Sequence, residues 1–404
     1  MEDVSKKAIT PRKSALYTKH VELVSKSRLA DFAGYLMPLW FSSISAEHAA
    51  VRENAGVFDC THMGVLEISG SCAESFLNNL TTNNVSALSP GKSQYSYVLD
   101  HSGRILDDII VSKIASDKYM VVVNAANEQK IKDWIAPLAN ECEGLIFKDL
   151  KNSPDSDAMV DIALQGPASG EILGLIIGDC PFREQMRSLK PFTFAAGKIS
   201  GINVIISRTG YTGAKTGFEI FIHPEKAPWM WDSILEKGNP FGVVPCGLGA
   251  RDSLRIEAGL PLYGHELAGP HSITPFEAGY GWAVKLKEKS FIGADCIADT
   301  SGMTVARLAL SGEKGVRPIR AGDGVVSSDG VCIGEVLSCA KADKKQIAIS
   351  YIQKEFAETG KTVGIYYLAR NKGQIAKGRL EKTVIGDELE GDISGEVLTR
   401  FERF

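Results

Sequence analysis

Two adjacent acids, Asp107 and Asp108, are the first residues in this chain whose type and setting suggest chemistry. They interrupt an apolar run that otherwise predicts a β-strand. Neighbouring residues of a strand point to opposite faces, so one carboxylate must face inward or the strand must bulge there. A buried carboxylate is costly without partners, and such acids often mark binding sites. A solvated acid beside a capping acid fits the same spacing, which leaves both interpretations open.

Two other segments are ambiguous in the same way. The glycines of residues 208–213 lack the spacing of a phosphate-binding loop, and alone they predict a tight turn. Arg251, Asp252 and Arg255 share one side of a predicted helix, where such charges usually form a solvated, salt-bridged face. The eight cysteines include no C-x-x-C pair. We therefore expect reduced thiols and no metal site.

The composition limits the class of protein. With 404 residues, 44% apolar and 23% charged, the chain should fold as several globular domains. A net charge of −4 disfavours a chain built to neutralise nucleic-acid phosphates. No apolar run approaches the roughly 18–20 residues that cross a bilayer, and the opening residues contain no apolar signal region. A cytoplasmic protein with no nucleic-acid or membrane partner is expected.

The elements that must position the candidate residues follow an α+β pattern. Residues 94–99 and 105–113 predict a hairpin that carries the two acids, and residues 128–140 predict a helix. A second α+β stretch follows, ending in the predicted helix 249–258 that carries the arginines. Beyond about residue 300, strand-length apolar runs alternate with turns, which predicts a small β-barrel or sandwich.

Short motifs in a fixed order run from about residue 14 to residue 295. In chain order they include D-F-A-G-Y-L-M-P at 31–38, T-H-M-G at 61–64, the acidic hairpin at 103–111, L-Q-G-P at 164–167, R-T-G-Y-T-G at 208–213 and the helix at 249–259. Read together, they resemble the aminomethyltransferase family, the tetrahydrofolate-dependent T-protein of the glycine cleavage system. The match is weaker after residue 295.

The resemblance implies a three-lobed, cloverleaf-like α+β molecule with folate in a central channel. Two lobes would be α+β units with ferredoxin-like, antiparallel sheets, and the third would be a C-terminal β-barrel. The implied boundaries are residues 1–61 with 151–285 for the first lobe, 62–150 for an inserted lobe and 286–404 for the barrel.

The resemblance also implies which residues form the site. Asp108 would be the catalytic acid beside a folate amine, and Tyr95 would line the folate channel. The remaining implied folate-binding residues contact the pterin edge, stack in the channel or lie at the pterin end: Val122, Asn124, Phe192, Tyr211, Glu219 and Arg251. No metal ligand is implied.

The implied reaction transfers the one-carbon unit of an aminomethyl group, carried on a lipoyl protein, to tetrahydrofolate. Ammonia is released and 5,10-methylenetetrahydrofolate is formed. The expected partners are folate and the lipoyl carrier (H-protein), and the expected oligomeric state is a monomer.

Departures from the family pattern keep alternatives open. The turn at 213–217 reads G-A-K-T-G where the family usually has G-E-D-G, so two acids are replaced by one cation. A tetrahydrofolate-dependent demethylase or methyltransferase acting on another N-, O- or S-methyl donor is therefore the alternative. A non-catalytic folate-binding protein of iron–sulfur cluster assembly is disfavoured because its K-G-C-Y motif is absent at 290–293. Arg104 is expected to place a cation near the site, and the C-terminal tail supplies no candidate residue.

Overall fold

The computed structural model of the chain describes residues 10–297 and 302–404, so the first nine residues of the predicted first lobe and residues 298–301 of the predicted barrel lie outside the described residues. The Ser43 side chain accepts a hydrogen bond from the Ala46 backbone N–H and caps the second helix, whose C-cap is Asn54. The first elements are β1 (Arg12–Lys13), α1 (Tyr17–Leu23), β2 (Leu29–Phe32), β3 (Tyr35–Pro38), α2 (Ile44–Glu53) and β4 (Ala55–Asp59).

A five-stranded antiparallel sheet with two helices follows. Its strand order is β6-β7-β8-β5-β9. Both helices bury apolar side chains against the sheet, as in the contact of Leu77, Ile131 and Ile135 with Leu66 and Val121 in one core. The elements are β5 (Gly64–Ser69), α3 (Ala73–Leu80), β6 (Ser93–Leu99), β7 (Ile105–Ala115), β8 (Lys118–Val123), α4 (Glu128–Asn140) and β9 (Ile146–Asp149).

The next segment completes a six-stranded sheet that β4 had begun, in the order β11-β12-β13-β10-β4-β14. The chain leaves this sheet after β4 and returns at β10, and the two strands pair antiparallel. The β14–β4 pair is parallel. The elements are β10 (Val160–Gln165), α5 (Ser169–Ile177), α6 (Pro181–Arg187), β11 (Phe194–Ile199), β12 (Ile202–Ser207), β13 (Gly217–Ile222), α7 (Ala227–Gly238), β14 (Val243–Cys246) and α8 (Leu248–Ala258).

The two faces of this six-stranded sheet have different partners. On one face, Val57 and Ile162 pack with Trp231 of α7 in the largest core of the molecule. On the other face, Ile205 and Phe221 contact Val65 and Met120 of the five-stranded sheet. The two sheets therefore lie against each other, and polar residues on their facing sides can share a cleft.

The C-terminal part is a closed barrel in the strand order β15-β18-β17-β16-β19-β20. Closure leaves no exposed sheet edge in the barrel. The predicted α+β fold with a C-terminal β-barrel is confirmed, while the exact domain boundaries stay a prediction. The elements are β15 (Met303–Ser311), β16 (Gly324–Ser327), β17 (Cys332–Ala342), β18 (Lys345–Gln353), β19 (Thr362–Tyr366), α9 (Lys372–Ala376) and β20 (Ile393–Leu398).

The charges of helix α8 do not form a solvated face, although Arg255 does pair with Asp252 at 2.8 Å. Arg255 is 1% exposed, and its guanidinium donates to the Glu266 carboxylate at 2.7 Å and to the Ser338 hydroxyl of β17 at 3.1 Å. The interpretation was wrong because the barrel covers this side of the helix, which a local charge pattern cannot show.

In the described residues, 10–297 and 302–404, every helix is too short or too polar to cross a membrane.

Candidate active site

A cavity of about 650 Å³ lies between the two sheets, the segment after α8 and the C-terminal tail. Its size is within the range of sites for small organic ligands, about 300–1,000 Å³. All the residues predicted to bind folate line this cavity: Tyr95, Asp108, Val122, Asn124, Phe192, Tyr211, Glu219 and Arg251. The structure thus brings together residues that are far apart in the sequence, and their role in folate binding stays a prediction.

The strand that carries the acidic pair does bulge. Val98 of β6 pairs with Asp107, but the next residue, Leu99, pairs with Ile105, so Leu106 has no partner across the ladder. Asp107 is completely buried behind the sheet. Asp108 lines the cavity, so the two acids have different surroundings. The alternative interpretation, a solvated acid beside a capping acid, is therefore wrong.

Both oxygens of Asp108 are held by neighbouring side chains. The Tyr95 hydroxyl donates to Oδ2 at 2.9 Å, and Nδ2 of Asn124 donates to Oδ1 at 2.8 Å. The same Asn124 amide donates to Oδ1 of Asp107 at 2.9 Å, and Asn127 donates to that oxygen as well. Asn124 therefore links the two acids and fixes the orientation of Asp108.

Burial dominates the electrostatics of the acidic pair. It raises the pKa of Asp108, although the bonds from Tyr95 and Asn124 oppose the rise. Burial and the neighbouring charge of Asp108 raise the pKa of Asp107 to about 8. A second negative charge on the pair is therefore unfavourable, and the titrations of the two carboxyl groups are linked. A carboxyl group in this state can both accept and return a proton.

The opposite part of the cavity carries a second charged group of residues. Thr209 donates to the Glu219 carboxylate. The Arg251 guanidinium lies 5.0 Å from the centroid of the Tyr211 ring, and its Nη1 is 3.4 Å from Sγ of Cys60. Burial raises the pKa of Glu219, and the Thr209 bond and the Arg251 charge oppose the rise. This part of the cavity therefore offers the aromatic face of Tyr211 and the hydrogen-bonding groups of Glu219 and Arg251.

Phe192 reaches the cavity through an unusual backbone conformation. Its φ is 60°, in the left-handed region that a bulky side chain avoids. The Arg208 carbonyl accepts from its N–H at 3.1 Å, and its own carbonyl accepts from the Ser93 N–H at 2.9 Å. These bonds hold the strained residue between the two sheets. Such strain concentrates at functional sites.

The aromatic wall beside Tyr95 was not among the predicted site residues. Ring centroids of Tyr280 and Trp282 lie 5.1 and 6.0 Å from that of Tyr95, and Phe401 packs on Tyr280 at 4.9 Å. Tyr280 and Trp282 lie in the segment between α8 and β15, which carries no evident chemistry in its sequence. Because aromatic side chains are common in ordinary cores, only their position in space identifies them as a cavity wall.

The C-terminal tail also reaches the cavity. The Phe404 carbonyl accepts from the Lys215 N–H at 2.7 Å, and its N–H donates to the Gly213 carbonyl at 2.9 Å. The Arg52 guanidinium lies 4.2 Å from the centroid of the Phe404 ring. The divergent turn at 213–217 therefore holds the tail at the rim, where Phe401, Glu402 and Arg403 join the lining.

The cation expected at Arg104 is not at the site. Its side chain is exposed, and Nε donates to the Ser102 hydroxyl at 3.1 Å. That expectation was wrong because Arg104 lies in the exposed turn before β7, where its backbone N–H donates to Asp100. Within residues 10–297 and 302–404, no group of three or more His, Cys, Asp or Glu side chains is arranged to hold a metal ion.

Comparison with known proteins identifies the family. The model of the GCVT N-terminal domain matches residues 16–288. The aminomethyltransferase of Caldanaerobacter subterraneus subsp. tengcongensis is 38% identical over 364 residues, which cover 89% of this chain and 92% of that protein. The chain belongs to the aminomethyltransferase family.

Other aminomethyltransferases agree with this assignment. The protein of Chloroherpeton thalassium is 38% identical over 87% of this chain and 93% of its own length. The crystal structure of the glycine cleavage system aminomethyltransferase T from Bartonella henselae matches with a TM-score of 0.78 and 27% identity, over 97% of this chain and 99% of that one. The family, the fold and the transferase class predicted from sequence are confirmed. A demethylase with another methyl donor is not favoured.

Proposed function

We propose that this chain transfers the one-carbon unit of a carrier-bound aminomethyl group to tetrahydrofolate, with release of ammonia and formation of 5,10-methylenetetrahydrofolate. The observation that carries the proposal is the Asp108 carboxyl group, held by Tyr95 and Asn124 on the wall of a cavity of suitable size. Membership of the aminomethyltransferase family implies tetrahydrofolate as the acceptor and a lipoyl protein as the partner.

The residues around the cavity fit a reduced folate chemically. A pterin has a flat face and an edge with several N–H donors. The Tyr211 ring, backed by Arg251, offers a surface for the face, and the Glu219 carboxylate offers an acceptor for the edge. Asn124 and Val122 lie near Asp108 and would bound the other side of the ring.

Asp108 would serve the transfer in two ways. Tetrahydrofolate supplies the nitrogen nucleophile that takes the carbon. As ammonia leaves, positive charge develops at that carbon, and a nearby carboxylate in a poorly solvated cavity stabilises it. The same group can accept the proton that the nitrogen loses, because burial raises its pKa above that of an ordinary aspartate and makes it a stronger base. Covalent attachment of substrate to the protein is not needed.

The rim of the cavity suits the arm of a carrier. Phe192 and Trp282 are 37% and 54% exposed and line the opening, so both present apolar surface to solvent. A lipoyl arm is long and largely apolar, and it would pack against these rings. We infer that the carrier protein docks beside them and that the chain acts as a monomer.

The test uses the purified protein with tetrahydrofolate and an aminomethylated lipoyl carrier. Ammonia and methylenetetrahydrofolate should appear in equal amounts, and neither should appear when the carrier is omitted. The control offers free N-methylated amines in place of the loaded carrier. Turnover of those amines, with none from the carrier, would replace the proposal with the demethylase alternative.

A further inference from the structure

Asp161 is a buried acid on the cavity wall that the proposed mechanism does not use. It lies on β10, is 2% exposed and lines the cavity. Within the described part of the chain its Oδ1 has no hydrogen-bond partner. Buried polar side chains are nearly always hydrogen-bonded, and an unsatisfied one costs stability. An orphaned acceptor beside an open cavity therefore points to a partner that enters the cavity.

The strand register places Asp161 beside Glu219. Asp161 pairs with Phe221 and Ala163 pairs with Glu219 across β10 and β13. Residues opposite each other share a face, and so do residues two apart along a strand, so both acids point to the same side. As diagonal neighbours they are within about 8 Å. Both also line the cavity, so its inner wall carries two carboxyl groups.

The Ile220 backbone acts on the Asp161 carboxyl group as a hydrogen-bond partner, but the neighbouring side chains leave Oδ1 unsatisfied. The charged groups that act on it are Glu219, the Arg251 guanidinium and the Asp59 carboxylate. Arg251 directs Nη1 to Sγ of Cys60, and the hydrogen bonds of Asp59 come from Ser14 and the Thr61 N–H. Glu219 uses one oxygen to accept from Thr209. Within residues 10–297 and 302–404, Oδ1 of Asp161 and the second oxygen of Glu219 are therefore two acceptors on this wall with no hydrogen-bond donor.

We propose that Asp161 is a ligand-binding residue and that, with Glu219, it accepts hydrogen bonds from a planar heterocycle edge with adjacent N–H donors. Under the proposed function, on which this inference rests, that edge is the 2-amino group and neighbouring ring N–H of the pterin. These groups offer more N–H donors than the one free oxygen of Glu219 can accept. Asp161 thus contributes to selection of a 2-amino heterocycle.

The experiment measures calorimetric binding of 5-formyltetrahydrofolate and of its 2-desamino analogue to the wild type, Asp161→Leu, Asp161→Asn and Asp179→Asn. Asp161→Leu should weaken binding of the first compound by about tenfold or more, the loss expected for one buried hydrogen bond. It should also reduce the preference for the 2-amino compound, since Glu219 alone then accepts from that edge. Asp161→Asn keeps an acceptor oxygen and should lose less. Asp179, an exposed acid after α5, is the matched control and should change nothing.

Thermal unfolding of the same variants separates a binding role from a structural one. Leucine removes an unsatisfied polar group from a buried strand, so Asp161→Leu should unfold at the same or a higher temperature than the wild type. A purely structural acid would lower the melting temperature and leave the preference for the 2-amino compound intact. Wild-type protein that fails to bind 5-formyltetrahydrofolate would overturn the proposed function together with this inference. Tight binding that Asp161→Leu leaves unchanged would overturn the inference alone.

Discussion

Replacing Asp108 by Asn should stop turnover while leaving the fold and folate binding nearly intact. The side chain keeps its size, and its amide oxygen can still accept from Nδ2 of Asn124. Its new NH₂ group can donate to the Tyr95 hydroxyl, which is able to act as an acceptor. The variant therefore loses the negative charge and the proton-transfer ability, and little else.

The size of the effect follows from those two losses. Positioned acid–base catalysis contributes about 10²–10⁴-fold, and loss of a preorganised electrostatic contact costs about 3 kcal/mol. We expect kcat to fall by about 10³–10⁴-fold, with the dissociation constant for 5-formyltetrahydrofolate changed by less than about threefold. Because the charge next to Asp107 disappears, the melting temperature should not fall.

The assay is carrier-dependent release of ammonia under single turnover, with calorimetric folate binding and thermal unfolding on the same preparations. The matched control is Asp133→Asn, an exposed acid on α4, which should behave as the wild type. A variant of Asp108 that keeps more than a tenth of the wild-type kcat would refute the catalytic role. A variant that loses kcat only because it unfolds or no longer binds folate would show that Asp108 is needed for structure or binding and not specifically for its charge.

Four further outcomes are expected. Tyr95→Phe removes one donor to Asp108 and should lower kcat about tenfold with normal folding, as checked by the same turnover assay. Arg255→Met leaves the Glu266 carboxylate buried without its partner and should cost about 3–5 kcal/mol in denaturant unfolding, a loss that adding Glu266→Leu should largely restore. Burial lowers the pKa of His62 to about 4, below its unfolded value, so the unfolded state binds more protons between about pH 6.5 and 4; stability should fall across that range on acidification, and His62→Phe should flatten the profile. Deleting residues 401–404 removes part of the cavity rim and should weaken 5-formyltetrahydrofolate binding several-fold, whereas unchanged affinity would show that the tail is not part of the site.

The acidic hairpin was predictable from sequence because its signals are local. Alternation in β6 and β7 and a turn-forming connection set the two strands, and two acids within an apolar strand require a bulge or burial. The structure shows both, with Leu106 unpaired and Asp107 buried. Family-like motifs then supplied the distant members of the set. Neither signal could supply the distances, since those depend on how the two sheets pack.

The aromatic wall and the tail were not predictable for the opposite reason. Tyr280 and Trp282 can be assigned to the cavity wall only from the fold, in which β6 places Tyr95 beside them. Phe404 reaches the rim because its backbone pairs with Gly213 and Lys215, which lie about half the chain length away in sequence. Likewise, local charge spacing predicts a solvated face for α8, whereas the barrel covers Arg255, and Arg251 lines the cavity. Each failure concerns a contact between elements that no local pattern specifies.

The four acids at the site are divided between its two sheets. Asp107 and Asp108 stand on one sheet, and Asp161 and Glu219 stand on the facing side of the other. Asp108, Asp161 and Glu219 line the cavity, whereas Asp107 is buried behind its sheet. Because the two pairs stand on separate sheets, the main acidic neighbour of each is its own partner, and burial together with that neighbour raises the pKa of Asp107 and of Asp161. The two walls would then have different roles under the proposed function. On one wall, Asn124 and Tyr95 orient Asp108 for proton transfer. On the other wall, Oδ1 of Asp161 is an acceptor available to a ligand.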